Sequence, residues 1–222
     1  MRKITFANGQ YYHIYNRGVD KREVFLDEAD FHRFIISMIL LNDERDGLME
    51  QWRNIKKENT EIQFSDFRRL NLRKPLVEFV VYCLNPNHYH FALRQLEENG
   101  IKKFMQRLGT AYAMYFNKKY KRSGALFQGT FKAIHVDSND YLLYLSAYIN
   151  KNHFIHGLGQ EDWKYASLLE YKNMQPKALS VCKTDLILDQ FKNLNEYLEF
   201  VDKNALYLKE QKENRKYLLE EF

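Results

Sequence analysis

Cysteine is scarce. Cys83 and Cys182 are the only two in 222 residues, too few for the disulfide framework of a small secreted domain. Cys83 sits in an apolar run and reads as a core thiol. No apolar run reaches the roughly 18 residues that a membrane-spanning helix needs. Met1 to Phe6 lack the apolar segment of a signal peptide, so a cytoplasmic location is expected. There is no internal repeat and no low-complexity tract. The most informative absence is of acid: from Asn99 to Val136 there is not one Asp or Glu.

What is present suits a folded, basic chain. Hydrophobic residues make up 45% and charged residues 28%, which supplies a core and excludes a disordered polyelectrolyte. The net charge is +5 and the pI about 9.0, which favours a polyanionic partner. Aromatics are abundant, with 16 Tyr and 16 Phe.

The periodicity orders the elements. Tyr11 to Arg17 is aromatic and β-branched, and Asn16-Arg17-Gly18 follows as a turn, which predicts a first strand. Asp27 to Leu41 carries Phe31, Phe34, Ile35, Met38 and Ile39 at helical spacing, with Asp27 as N-cap. Residues 42–75 are polar and mixed in charge, an insertion with a short helix around Met49 to Ile55. Val77 to Leu84 predicts a buried strand. Asn85-Pro86-Asn87 is a turn, and His88 to Arg94 its partner strand. Ile101 to Tyr120 is an amphipathic helix. Leu126 to Val136 is strand-like with a break at Gly129. Asp137-Ser138 caps a helix from Asn139 to Asn152. This order predicts an α+β, ferredoxin-like sandwich over residues 1–157, an antiparallel sheet with helices packed on it. Residues 158–222 read as a helical C-terminal extension, with short helices at Trp163 to Tyr171 and Thr184 to Phe191 and a longer one from Asn195 to Phe222.

Three features could carry chemistry. His88 and His90 flank Tyr89 on a strand, so both imidazoles point to one face while Tyr89, Phe91 and Leu93 point to the other. Two imidazoles so placed can bind one divalent metal; a chance His-x-His pattern is the ordinary reading. Tyr148 and Asn152 are four apart on a predicted helix and share a face. They could offer a phenol nucleophile and a metal-binding amide oxygen; packing tyrosines, like Tyr141 and Tyr144 nearby, are the ordinary reading. The acid-free stretch carries Lys102, Lys103, Arg107, Lys118, Lys119, Lys121, Arg122 and Lys132. Phe104, Tyr112, Tyr115, Phe116, Tyr120, Phe127 and Phe131 are interleaved. Cations for phosphates and rings for bases suit a single-strand groove; a solvated basic face is the alternative.

In this combination the chain resembles the single-tyrosine HUH transposases (insertion-sequence-200-like), and among them the REP-associated tyrosine transposases. The resemblance covers roughly residues 8–170. It is carried by His13-Ile14-Tyr15-Asn16-Arg17-Gly18, Cys83-Leu84-Asn85-Pro86-Asn87-His88-Tyr89-His90, Phe104-Met105-Gln106-Arg107-Leu108, Ser123-Gly124-Ala125-Leu126-Phe127-Gln128-Gly129-Thr130-Phe131-Lys132, and Tyr148-Ile149-Asn150-Lys151-Asn152. It implies a ferredoxin-like fold, a divalent metal (Mg²⁺ or Mn²⁺) on His88, His90 and Asn152, and Tyr148 as the nucleophile. It further implies cleavage and transfer of single-stranded or hairpin DNA through a 5′-phosphotyrosine. Relatives carry Pro after the ligand Asn; here that residue is His153, a spare ligand or nothing. Arg17 joins the basic residues above as a DNA-contact candidate. Location would be nucleoid-associated when DNA is bound, and a homodimer is compatible with the resemblance.

Rival classes remain at this level. A ferredoxin-like sheet rich in aromatics also describes RNA-binding modules, and a transposase-derived protein could bind hairpins without cutting. A water-using metal hydrolase would need carboxylate ligands, and Glu78, Glu97 and Glu98 lie outside the histidine-bearing segment.

Overall fold

A computed structural model of the chain describes residues 4–70, 74–158, 163–174, 176 and 179–220. Four strands form one antiparallel sheet: β1 (Tyr11–Arg17), β2 (Val77–Asn85), β3 (His88–Gln95) and β4 (Lys132–Val136). Their order is β2-β3-β1-β4. The helices are α1 (Glu28–Leu40), α2 (Leu48–Glu58), α3 (Phe64–Leu70), α4 (Gly100–Lys119), α5 (Asn139–Asn150), α6 (Asn152–Ile155), α7 (Leu168–Tyr171), α8 (Asp185–Leu188) and α9 (Leu194–Glu220). This is the expected ferredoxin-like sandwich, with the long C-terminal helix added. Among the described residues no helix is long and apolar enough to cross a membrane.

The helix starts follow their caps. Asp27 Oδ1 accepts from the Asp30 amide at 3.0 Å, and Ser138 Oγ accepts from the Tyr141 amide at 3.2 Å. Each cap satisfies an amide that would otherwise lack a partner in the first turn.

Strand alternation sorts side chains between two cores. Tyr12, Ile14, Tyr82, Leu84, Tyr89, Phe91 and Leu93 face α1 and α4 in the larger core. Val81, Cys83 and Ala92 face the other way, against Leu145 and Ile149 of α5. That second core also takes in Ala166, Tyr171, Ile187, Tyr197 and Val201, so residues after 158 help cover the sheet. Polar contacts fasten them there. Asn150 Nδ2 donates to Tyr197 Oη at 2.8 Å, Ser167 Oγ donates to Asn150 Oδ1 at 2.7 Å, and Lys151 pairs with Asp202.

Several elements differ from the expectation. The polar insertion holds two helices, α2 and α3, whose Trp52, Phe64 and Phe67 rings pack together. Trp163 to Ser167 is not helical: it lies along the free edge of β2, with Leu84 N donating to Tyr165 O and Ser167 N donating to Tyr82 O, each at 2.9 Å. Pairing an otherwise bare strand edge outweighs the local helical tendency. Of the segment Leu126 to Val136 only β4 is strand. Gly129 takes a left-handed φ of +66°, and Gln128 N donates to Arg17 O at 2.8 Å. The helix expected to reach Asn152 instead ends at Asn150. Lys151, at φ −109° and ψ 17°, steps out of helical geometry, and Asn152 opens α6.

Candidate active site

The strand register lays out most of the site. Directly opposed residues of antiparallel neighbours point to the same face. One row across the sheet is Asn85, His88 and Arg17; the next is Cys83, His90, Tyr15 and Lys132. His13, two residues from Tyr15, projects beside His90. All of these stand on the face opposite the larger core. Helix α5 passes over it and delivers Tyr148, and α6 adds Asn152 and His156. Together Tyr15, Arg17, His88, His90, Gln128, Lys132, Tyr148 and His156 line a pocket of about 230 Å³.

Hydrogen bonds fix the imidazole of His88. Its Nδ1 lies 2.6 Å from Asn87 Oδ1, an acceptor, so Nδ1 carries the proton and Nε2 keeps its lone pair. That lone pair faces Asn152 Oδ1 at 3.0 Å, acceptor against acceptor. The Asn85 amide reconciles them: its Nδ2 lies 2.9 Å from His88 Nε2 and 2.6 Å from Asn152 Oδ1. His90 Nδ1 lies 2.8 Å from His13 Nε2; with His90 donating, its own Nε2 lone pair is free. The His88 and His90 rings are perpendicular, with centroids 5.2 Å apart. Among the described residues no group of three or more His, Cys, Asp or Glu is arranged to hold a metal ion. The set here is two imidazoles and an amide oxygen. Converging acceptors satisfied only by an amide N–H pair fit a small divalent cation, and Asn152 Nδ2 is buried with no hydrogen-bond partner.

Burial governs the protonation states. His13 and His88 are 6% and 7% exposed. Desolvation lowers both to about 4 and also lowers His156 to about 4. His90, 8% exposed, is held well below the ordinary histidine value by burial and then by its histidine neighbours. At neutral pH the imidazoles are therefore neutral. Burial raises the Tyr148 phenol, and the neighbouring Asn152 side chain opposes the rise. Tyr148 is half-buried; its ring meets His90 edge-on at 5.5 Å.

The basic candidates divide by place. Arg17 and Lys132 line the pocket. Lys102 lines a neighbouring cleft of about 1200 Å³ with Phe127, Phe131 and Lys132. Lys103 donates to Glu44 O, and Arg107 pairs with Asp46, both against the 42–75 insertion. Lys119 pairs with Asp27 and the fully buried Asp30. Arg122 donates to Asn117 and Ala125. Lys118 and Lys121 are exposed.

Residues 48–152 match the model of the family described as "Transposase IS200 like". That stretch, just under half of the chain, is similar to the IS200-like transposases. No curated protein matches. A solved REP-associated tyrosine transposase bound to a REP hairpin is similar at 12% identity, over 81% of this chain and 89% of that one, with a TM-score of 0.47. A candidate transposase from Deinococcus radiodurans R1 is similar at 19% identity, over 69% of this chain and 98% of that one, with a TM-score of 0.33.

Sequence reasoning missed four neighbours of the site. His13 is in the quoted β1 motif, and alternation could have paired it with His90 once register was known. Asn85 read only as a turn residue. His156 follows Asn152 at helical spacing, a usable signal. Lys212, far along the chain, gave none. His153, read as a spare ligand or nothing, is fully buried and stacks on Trp163 at 5.9 Å, on the core side of α6.

Proposed function

We propose that this protein cuts and rejoins single-stranded or hairpin DNA as a metal-dependent, single-tyrosine strand transferase. The observation that carries the reading is the pair of opposed acceptors, His88 Nε2 and Asn152 Oδ1 at 3.0 Å, beside a half-buried tyrosine on the helix above them. His88, His90 and Asn152 would hold Mg²⁺ or Mn²⁺, with His13 and Asn87 orienting the two rings. A bound divalent metal supplies Lewis-acid polarisation of the scissile phosphate.

The chain's own groups do the rest. Tyr148 Oη forms the new bond to phosphorus as its proton leaves. The bond from phosphorus to the 3′ oxygen breaks, and that oxygen departs as a 3′-hydroxyl after taking a proton. The product is a 5′-phosphotyrosine, which another 3′-hydroxyl can attack to reseal a strand. Since burial raises the Tyr148 phenol, deprotonation is the demanding part, and the neighbouring Asn152 side chain offsets part of that rise. Arg17 and Lys132 would pair with phosphates at the pocket, and Lys102 with Phe127 and Phe131 would extend the track along the adjoining cleft. Lys118 and Lys121, both exposed, would add to the basic surface, whereas Lys103, Arg107, Lys119 and Arg122 would have to exchange their partners within the chain for phosphate.

The test is adduct formation. A 3′-end-labelled single-stranded library incubated with protein and Mn²⁺ should yield labelled protein on a denaturing gel, because the downstream fragment stays on the tyrosine. Tyr148→Phe should abolish the label while leaving the melting temperature nearly unchanged. Persistent labelling in that variant would move the nucleophile to Tyr144 or Tyr141. Labelling undiminished by excess EDTA would remove the metal from the reaction. No labelling by the wild-type protein, with binding retained, would leave a transposase-derived hairpin binder.

A further inference from the structure

One side chain of the long helix α9 holds a residue that lines the pocket. Lys212 Nζ donates to Ile155 O at 3.3 Å and to His156 Nδ1 at 2.8 Å. An ammonium has donors and no acceptor. The Nδ1 of His156 must therefore accept, and its remaining proton must sit on Nε2. The His156 ring stands 5.0 Å from that of His88, at 66°. His156 also lines the pocket shared by His88, His90, Arg17 and Lys132. Beside it, Arg17 Nε is buried and has no hydrogen-bond partner. Arg17 and Lys212 feel each other's charge, so the cations crowd one side of the pocket with no acidic residue lining it.

Such a wall asks for an anion. Like charges gathered beside an unpartnered guanidinium N–H repel one another until something negative separates them. A neutral imidazole held as the Nε2–H tautomer in the pocket wall is a donor, and neutrality means it does not add to the repulsion. A DNA phosphate meets these requirements: spread negative charge and two non-bridging oxygens, each able to accept several hydrogen bonds.

We propose that Lys212 and His156 form a dyad in which Lys212 fixes the imidazole as an Nε2–H donor, and that His156 with Arg17 binds the non-bridging oxygens of a DNA phosphate in the pocket. The helix beyond residue 194 thereby becomes part of the site: α9 sets the tautomer of a residue that touches substrate. The dyad rests on the DNA reading above and deepens it, because it names which groups outside the proposed metal set hold the phosphate. Lys212 is a positioning residue, since it acts through His156.

Long-range proton–nitrogen spectra of ¹⁵N-labelled Tyr148→Phe protein, in which no adduct can form, read the dyad directly. His156 should show the Nε2–H tautomer. Lys212→Ala should convert it to a mixture, and Lys212→Arg, which keeps a donor, should restore it. Adding a thymidine hexanucleotide with Mg²⁺ should shift the His156 Nε2 resonance. In the same protein His156→Phe should weaken binding of that oligonucleotide about tenfold, as loss of one hydrogen bond to a charged group does. His156→Gln, which can still donate, should stay near the parent. An Nδ1–H tautomer, or one indifferent to Lys212, overturns the dyad. Shifts at Arg17 and Lys132 with His156 unmoved overturn its contact with phosphate and leave the DNA reading standing. Oligonucleotide that shifts nothing in the pocket overturns the DNA reading and the dyad with it.

Discussion

His13 Nε2 lies 2.8 Å from His90 Nδ1, and both rings are buried. The two histidines come from neighbouring strands, so their contact depends on sheet register, with Tyr15 opposite His90 and His13 one alternation away. A buried acceptor held at that distance orients the His90 ring and selects its tautomer. Outer partners of this kind typically contribute about 10–100-fold to metal affinity. His13→Phe should therefore weaken Mn²⁺ binding, read by calorimetry or electron paramagnetic resonance on Tyr148→Phe protein, by about tenfold or more. His13→Gln should recover most of the loss, because its carbonyl oxygen can accept. Equal loss in both variants would show that His13 matters for packing alone.

The fold was legible because local signals and tertiary demands agree in its central part. Strands β1, β2 and β3 have alternating or continuous apolar patterns, and α1 and α5 begin at side-chain caps that single residues announce. Legibility stopped where a distant partner decides. Trp163 to Ser167 has helical spacing but forms turns around a single bridge from Ala166 to Cys83 on the bare edge of β2. Leu126 to Phe131 has strand composition but bends at Gly129. The site was half visible: His88 and His90 follow from alternation, and Tyr148 and Asn152 from spacing. Asn152 nevertheless meets His88 across a break at Lys151, not along one continuous helix. Asn85, His13, His156 and Lys212 arrive through register and helix packing, which a linear reading does not contain.

Gly18 closes β1 immediately after Arg17. A Cβ there would sit 2.2 Å from Arg22 O and 2.9 Å from a Val24 methyl. The first obstacle is backbone, so the turn itself must move. Gly18→Ala should cost about 2–4 kcal/mol, as buried overpacking against an unyielding partner does, read from urea unfolding. It should also displace Arg17 and weaken oligonucleotide binding more than Gly109→Ala, where nothing lies within 4 Å of an added Cβ. Equal stability of the two variants would show that the Gly18 turn is free to adjust.

Tyr197 joins α9 to α5. Its hydroxyl accepts from Asn150 Nδ2 at 2.8 Å and donates to Ser146 Oγ at 3.3 Å, in a fully buried position. Tyr197→Phe keeps the ring and strands the Asn150 amide without its acceptor, which costs about 1–3 kcal/mol. Since α5 carries Tyr148 and α9 carries Lys212, the same variant should loosen both sides of the pocket. Adduct yield should fall together with the melting temperature. A melting temperature equal to wild type would show that water or Ser146 replaces the lost partner.

Acid should unfold the metal-free protein earlier than its carboxylates alone would require. Burial lowers His13 and His88 to about 4 in the folded chain, against an unfolded value of about 6.5. Between those values the unfolded chain binds protons that the folded chain refuses, so stability rises with pH across that window. The stability associated with neutral imidazoles is fully present above about 6.5 and is lost as the pH falls toward 4. For His13 alone the loss at pH 4 is at most about 3 kcal/mol, and the close packing of His13 with His90 makes the two contributions overlap. Urea midpoints should fall from pH 7 to pH 5, and His13→Gln should flatten that slope because the replacement does not titrate. Mn²⁺ should raise the midpoint at pH 7 and lose that effect on acidification, since ligand nitrogens must be unprotonated to bind. A midpoint that holds steady or climbs between pH 7 and pH 5 would mean that the histidines take up protons in place, and the neutral-ligand picture of the pocket would fail.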